Sequence, residues 1–441
     1  MPNEDDRHRL LQQLPQLPRA VLIVLWIVVA SAAVRFGMDV VLLAKKSELR
    51  DFAACYTAAV LAKDGRSFYD PQPDREWFGD NQNPNLVAAA RTLGTLHSHE
   101  EFEHVHIFSY PPAMMFVMLP FSLLPFAVAK LIWLACSICA IGLGMWLVGR
   151  AIQSSPLTAL CMAFLALIFH PVRNTVDLGQ VNALLFVLVA AFFFLYRSGR
   201  DVWAGLVLGV ATAIRFHPAL LIAYLLWRRD FRTAAVASAI AVAVSVLAVP
   251  AFGVEESVIY FTQVAPKFAR ALVSVENHSL AGFLATVGPS LGLTEPGQEV
   301  GSPWTARLAA GVVLALTATL LTGPAPRRSS QAANLEFALV FAMIPLAMPN
   351  TTINHLLLIL PSYWMVLECL LRHRDAHETF LAVLVGLSVI VIGVVNDFYM
   401  HPILTQGLLV FAGEIKFYGL AILFGVIGCL LHRVRAQRPT R

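Results

Sequence analysis

The chain has 441 residues, 58% of them hydrophobic and only 14% charged, with a mean hydropathy of +0.68. Soluble domains carry about 25% charged residues, so this balance excludes an ordinary soluble protein and predicts an all-α polytopic membrane protein. The net charge of +4 is too small to point to a nucleic acid or any other charged partner.

In chain order, residues 1–20 are polar, without an apolar signal core or small-residue cleavage site, and read as a cytosolic leader to an uncleaved first span at 21–44. A first outer loop follows over 45–107. Further apolar runs predict spans at 126–149, 156–170 and 178–196, then a short pair at 202–215 and 217–226, and another at 233–253. The short pair reads as two half-helices meeting at "RFHP". A second large outer loop covers 254–303, and the remaining spans fall at 304–323, 333–348, 354–371, 378–396 and 410–431. Six cysteines lie mostly inside these apolar runs, so Cys136 and Cys139, although spaced C-x-x-C, read as small hydrophobes rather than a redox pair.

Basic residues set the topology. "YRSGR", "WRRDFR", "PRRSS", "RHR" and the C-terminal "HRVRAQRPTR" all belong on the cytoplasmic side by the positive-inside tendency. They share one side, together with Arg150 and both termini, only if the apolar stretch 108–124 does not cross. That stretch, "FSYPPAMMFVMLPFSLL", then reads as re-entrant or interfacial, which gives about twelve crossings. "LAKKSELR" places Lys45, Lys46 and Arg50 outside, against the trend.

This topology gathers Asp51, Tyr110, Asp177, Gln180, Asn182, Arg215, His217, Asn277, His278, Asn354 and His355 on the extracytoplasmic face. Polar groups at membrane height are costly and usually functional. Asp51 opens an amphipathic stretch, "RDFAACYTAAVLAKDG", whose Phe52, Cys55, Tyr56, Ala59 and Val60 share a helical face. It reads either as the N-cap of an interfacial helix or as a general base, with its pKa drawn downward by Arg50 and Lys46. Gln180 and Asn182 offer uncharged amides suited to sugar hydroxyls, or to helix ends. Arg215, between two half-helices, suits a phosphate oxyanion or else snorkels to the interface. His355 opens a span and is a candidate for phosphate or hydroxyl contact.

"HSHEEFEHVH" carries His97, His99, His104 and His106 with Glu100, Glu101 and Glu103, but lacks H-E-x-x-H spacing and reads as a solvated loop, so no metal is expected. No Walker A, G-x-G-x-x-G or D-x-D motif is present, so no cofactor is expected either.

In their order along the chain, Asp-Phe-x-x-x-Tyr after the first span, "GRSFYDP", "FSYPP", "LGQVN", "AGLVLGVATAIRFHP", "NHSLAG" and a late Asn-His-Leu resemble glycosyltransferase family 87, integral-membrane enzymes of the GT-C superfamily. The resemblance spans about 45–360 by motif order. It implies one GT-C domain that inverts the anomeric carbon at the extracytoplasmic face of the inner (plasma) membrane. The donor would be a polyprenyl-phosphate sugar, mannose above others, and the acceptor a lipid or glycan hydroxyl. By motif position Asp51 is the general base, and Arg215, where relatives carry Lys-Pro, takes the donor phosphate with His355 and Lys46. Tyr56, Tyr110, Gln180, Asn182, His217, Asn277, His278 and Asn354 are then the sugar and acceptor contacts, in a monomer that binds no nucleic acid. The rival readings are a polytopic transporter, favoured by the broken helix and intramembrane Arg, and a non-catalytic polysaccharide-assembly protein.

Overall fold

The computed structural model describes residues 19–46, 49–69, 84–95, 97–99, 102–104, 108–293, 300–371, 376–396, 400–405 and 407–437. Within a bilayer each backbone polar group must be satisfied inside its own segment, so long apolar runs become helices. Each of the twelve expected spans contains one. They are α1 (Arg19–Lys46), α4 (Phe126–Ile152), α5 (Pro156–Ile168), α7 (Asn182–Arg197), α8 (Asp201–Ile214), α9 (Ala219–Trp227) and α10 (Phe231–Phe252) in the first part of the chain. The second part holds α12 (Pro303–Leu320), α13 (Gln331–Ala347), α14 (Leu360–Leu370), α15 (Ala376–Val389) and α16 (Ile415–Ala436). Seven described helical segments are long and apolar enough to cross a membrane, or eight if the pair α5 and α6 (His170–Leu178), bent by 49° at Phe169, counts as one.

Between α1 and α4 the outer loop holds two helices, α2 (Arg50–Lys63) and α3 (Pro84–Leu93), and a two-stranded hairpin, β1 (His97–His99) with β2 (Phe102–His104). The hairpin is a departure from an all-α chain. It falls in the histidine-rich segment, whose side chains lie outside the described residues. So do residues 1–18 of the expected leader and the Asp-Pro end of "GRSFYDP". The expected non-crossing of 108–124 agrees with its form. Pro111, Pro112 and Pro120 break it into a 3-10 turn at Pro112–Met114, a helix at Met115–Met118 and a second turn at Phe121–Leu123, none long enough to cross.

The first outer helix differs from expectation. α2 is not a surface helix with one buried face: Phe52 through Ala59 and Leu61 are all buried. Phe52 stacks on Trp133 of α4 with centroids 5.3 Å apart, and Thr57 hydrogen-bonds Thr95 just beyond α3 at 2.7 Å. The sequence shows only the residues of α2 itself, whereas the loop chain after it folds back and closes its second side. The second outer loop, which holds α11 (Leu280–Val287), helps. Glu256 accepts the backbone N–H groups of Phe68 and Tyr69 at 3.2 and 3.3 Å, so both loops are clasped together.

At the centre, every residue of α13 from Ala332 to Ala347 is buried. α7 packs on it through Phe193 against Phe337, with centroids 4.9 Å apart. α8 and α10 lie close because Gly205 and Gly209 present no side chain. A Cβ on Gly205 would meet Val236 at 2.7 Å, and one on Gly209 would meet the Ala237 carbonyl at 2.6 Å. The contacts advance in the same direction along both helices, so α8 and α10 run parallel and the short α9 returns between them. The half-helix reading of "RFHP" is the geometry found, with both basic flanks at one end.

That end is closed by ion pairs. Arg328 bridges Asp201 at the start of α8 and Asp230 at the start of α10. The fully buried Glu336 of α13 accepts from Arg228 at 2.5 Å, Arg435 at 2.6 Å and the Tyr224 hydroxyl at 2.9 Å. Four of the basic clusters assigned to one side by charge are therefore joined in space. Removing one partner of a buried pair strands the others, so Glu336→Ala is expected to lower stability by about 3–5 kcal/mol. Thermal unfolding of the detergent-solubilised protein checks this, and an unchanged midpoint would sink it.

Candidate active site

At the opposite end, five elements bring their polar residues to one place. α2 supplies Asp51, the proline-broken segment Tyr110, the turn between α6 and α7 Gln180 and Asn182, and the break between α8 and α9 Arg215 and His217. A 3-10 turn, Ile353–Ile359, which leads into α14, supplies Asn354 and His355.

The contacts form a chain. The Gln180 amide N–H donates to the Asp51 carboxylate, and its carbonyl oxygen accepts the Tyr110 hydroxyl at 3.1 Å. The guanidinium of Arg215 lies over the Tyr110 ring, 5.1 Å from its centroid. Arg215 Nη1 donates to Asn182 Oδ1 at 3.0 Å, and Asn182 Nδ2 donates to Asn354 Oδ1 at 3.0 Å. Arg215 Nη2 touches His355 Nε2. His217 is buried behind, its ring edge-on to His355 at 6.3 Å, with Nε2 unbonded among the described residues.

His355 is set by its cap. Its Nδ1 accepts the Thr352 N–H at 3.0 Å, which fixes the neutral ring as the Nε2–H tautomer. Arg215 Nη2 and His355 Nε2–H are then two donors in contact, an arrangement that an oxyanion set between them satisfies.

Gln180 is aimed by its neighbour. Gly179 ends α6 at φ +66°, and a Cβ there would lie 2.8 Å from that of Phe52 and 3.0 Å from that of Leu49. Only glycine allows this turn to press against the start of α2, where Asp51 sits.

Two expectations for Asp51 are corrected. It is not the N-cap: Leu49, in the left-handed region at φ 44°, holds that place, and Asp51 lies within the first turn. Its pKa is not drawn downward but pushed up to about 6. Burial outweighs the stabilisation that the Gln180 amide, Arg215 and Arg50 give the carboxylate. The sequence shows the cations beside Asp51 and hides the distant segments that pack around the start of α2.

Three further residues do not join the cluster. Tyr56 spends its hydroxyl on the Leu124 carbonyl at 2.7 Å, anchoring α2 to the proline segment. Asn277 is committed to the protein's own backbone, donating to Pro349 O at 2.9 Å and accepting from Thr351 N at 2.9 Å. His278 is fully buried behind it, its pKa pushed well down by burial and then by Lys416. Both belong to the stitch between the second outer loop and 349–351. Lys46 ends α1, and its side chain lies outside the described residues. The sequence reading missed Thr352, which orients His355, and Tyr69, whose hydroxyl donates to the Tyr110 carbonyl at 2.5 Å. The S/T-x-x-H spacing at 352–355 was the available signal for the first. Among the described residues no group of three or more His, Cys, Asp or Glu could hold a metal ion.

Residues 108–349, more than half of the chain, match the sequence model of glycosyltransferase family 87. His355 falls just outside the matched stretch, and Asp51 lies well before it. A polyprenol-phosphate-mannose-dependent alpha-(1-2)-phosphatidylinositol pentamannoside mannosyltransferase of Mycobacterium tuberculosis is 32% identical over 132 residues, 29% of this chain and 30% of that protein. A polyprenol-phosphate-mannose-dependent alpha-(1-2)-phosphatidylinositol mannoside mannosyltransferase of Mycolicibacterium smegmatis is 30% identical over 200 residues, 41% of this chain and 44% of the relative. The aligned stretches therefore span less than half the length of these curated relatives. Among solved structures, the crystal structure of ArnT from Cupriavidus metallidurans bound to undecaprenyl phosphate aligns at 14% identity. That alignment has a TM-score of 0.41 and covers 93% of this chain and 78% of the other.

Proposed function

The chain belongs to glycosyltransferase family 87, and from that premise we propose that it moves a sugar from a polyprenyl-phosphate donor to an acceptor hydroxyl, inverting the anomeric carbon. The observation that carries the reading is the chain of contacts from Asp51 through Gln180 and Tyr110 to Arg215 and His355. A base lies at one end of it and two convergent donors at the other, as in-line displacement of a phosphate from a sugar requires.

Asp51 takes the proton from the acceptor hydroxyl as its oxygen bonds the anomeric carbon and the bond to the lipid phosphate breaks. Arg215 and His355 Nε2–H stabilise the charge arriving on the phosphate oxygen. Tyr110, Gln180, Asn182, His217 and Asn354 surround the space between and contact the sugar hydroxyls. The sugar is mannose, the one named for both relatives, and the acceptor is a mannoside of the phosphatidylinositol class. The site faces the extracytoplasmic side of the inner (plasma) membrane, opposite the arginine-rich end, in a single GT-C domain working as a monomer.

A base with a pKa of about 6 gives a defined pH profile. Transfer falls as pH drops through that value, because protonated Asp51 cannot accept a proton, and levels off above it. Gln180→Ala removes the donor that favours the carboxylate, so the acid limb moves upward. A hydrogen bond to a charged group is worth about 1.5–3 kcal/mol, or about one to two pH units. A pH–rate series on both proteins reads this directly, and an unmoved limb would count against Asp51 as base.

The activity itself is tested with synthetic polyprenyl-phosphate mannose and an acceptor, following release of the lipid phosphate. Solute flux in proteoliposomes without that release would favour a transporter.

A further inference from the structure

A polar cavity lies beside the site. It has a volume of about 320 Å³ and runs between α1, α6 and the segment that follows α15, and its polar lining is Asp39, His170, Arg173, Asn174, Asp177 and Asn396. None of these residues belongs to the cluster around Arg215, and the transfer described above uses none of them.

Asp39 is an ionisable residue inside an apolar helix, about 10 Å along α1 from its end at Lys46, a placement that is costly without a purpose. It pairs with Arg173 across the cavity at 2.7 Å, both side chains about one-third exposed. His170, Arg173, Asn174 and Asp177 stand at helical spacing, so one face of α6 lines the other wall. Asn174 Oδ1 is buried with no hydrogen-bond partner among the described residues. Lys416, fully buried, holds the corner by donating to the carbonyls of Ile392 and Val395.

The position links this cavity to the base. Asp177 is within electrostatic reach of Arg50, and Arg50 of Asp51. Arg215 and His355 approach Asp51 from the other side, through Gln180. The lining differs in kind from the cluster around Arg215: its carboxylates, amide and imidazole are groups that bind vicinal hydroxyls. One wall is α1, whose central stretch is nowhere buried in the protein, so this side adjoins the bilayer.

We propose that this cavity is the acceptor subsite and takes a neutral polyhydroxylated ring tethered to a lipid tail, delivered sideways past α1 to Asp51. The proposal rests on the transferase reading above. The shared chemistry, a sugar-like polyol, has two sources: a lipid headgroup or a free glycan.

The test uses the full-length protein with polyprenyl-phosphate mannose and two acceptor probes, octyl α-mannoside and methyl α-mannoside. Asn174→Leu, close in shape but apolar, is expected to raise the KM for octyl α-mannoside about tenfold, the effect of one lost hydrogen bond in a buried site. The KM for the donor, and the slow release of lipid phosphate to water without acceptor, stay unchanged. Asp177→Asn serves as the second variant should Asn174→Leu not fold, with the same split expected. A rise in donor KM instead would place the donor here and overturn the proposal, as would unchanged acceptor KM in both variants. Equal use of the methyl and octyl probes by the unmodified protein would overturn the lipid route. If the unmodified protein releases no lipid phosphate at all, it is the transferase reading that fails.

Discussion

Asp51→Asn is expected to lower sugar transfer by about 10²–10⁴-fold, the usual contribution of a positioned general base, while leaving donor binding intact. Asparagine fits the same space and can still meet the Gln180 amide, so the chain of contacts survives in outline. What it cannot do is accept the acceptor's proton. Without that step, attack on the anomeric carbon must develop positive charge on the acceptor oxygen in a buried place, where such charge is poorly solvated. Single-turnover release of polyprenyl phosphate measures the loss, and equilibrium binding of the donor measures what remains. The pH profile adds an independent reading, since the limb near pH 6 should vanish with the carboxylate. Near-normal turnover in this variant would remove Asp51 from the mechanism.

Arg215→Ala is expected to cost about 10²–10³-fold in turnover, the size typical of removing one preorganised donor from a developing oxyanion. The lost group is a charge that no other described residue supplies at that point, and its removal leaves His355 Nε2–H as the remaining donor there. Arg215→Lys keeps the charge but not the planar fork that reaches Asn182 and His355 together, so it should recover only part of the rate. Because the same fork also ties the α8–α9 break to α7, thermal unfolding must accompany the kinetics. An alanine variant that unfolds normally and turns over normally would reject the phosphate role.

Much of this site was legible in the residues before any fold was known. Asp51, Tyr110, Gln180, Asn182, Arg215 and His355 were each placed on one face by counting apolar runs and basic flanks. Five chain segments far apart in sequence had to share that face, and a bilayer allows few ways to arrange them. Asn277 and His278 were drawn in by the same argument, because sharing a face does not distinguish a residue that reaches the site from one that stitches the loops beside it. The pKa of Asp51 was misjudged for a related reason. Neighbouring cations can be seen in the sequence, but the burial that outweighs them comes from segments distant in sequence that pack around the start of α2, the Gly179–Gln180 turn among them.

The sequence by itself determined the membrane-spanning helical character, the break at Arg215–Pro218 and the segregation of acidic and amide groups from arginine-rich ends. These follow from local hydrophobicity, proline and charge, which act over a few residues at a time. Tertiary structure alone decided that α8 and α10 run parallel, that Arg215 meets His355, and that Asp39 faces Arg173 across a polar cavity. Each of these depends on packing between segments with no sequence proximity, where a glycine at 205 or 179 sets how closely two backbones approach.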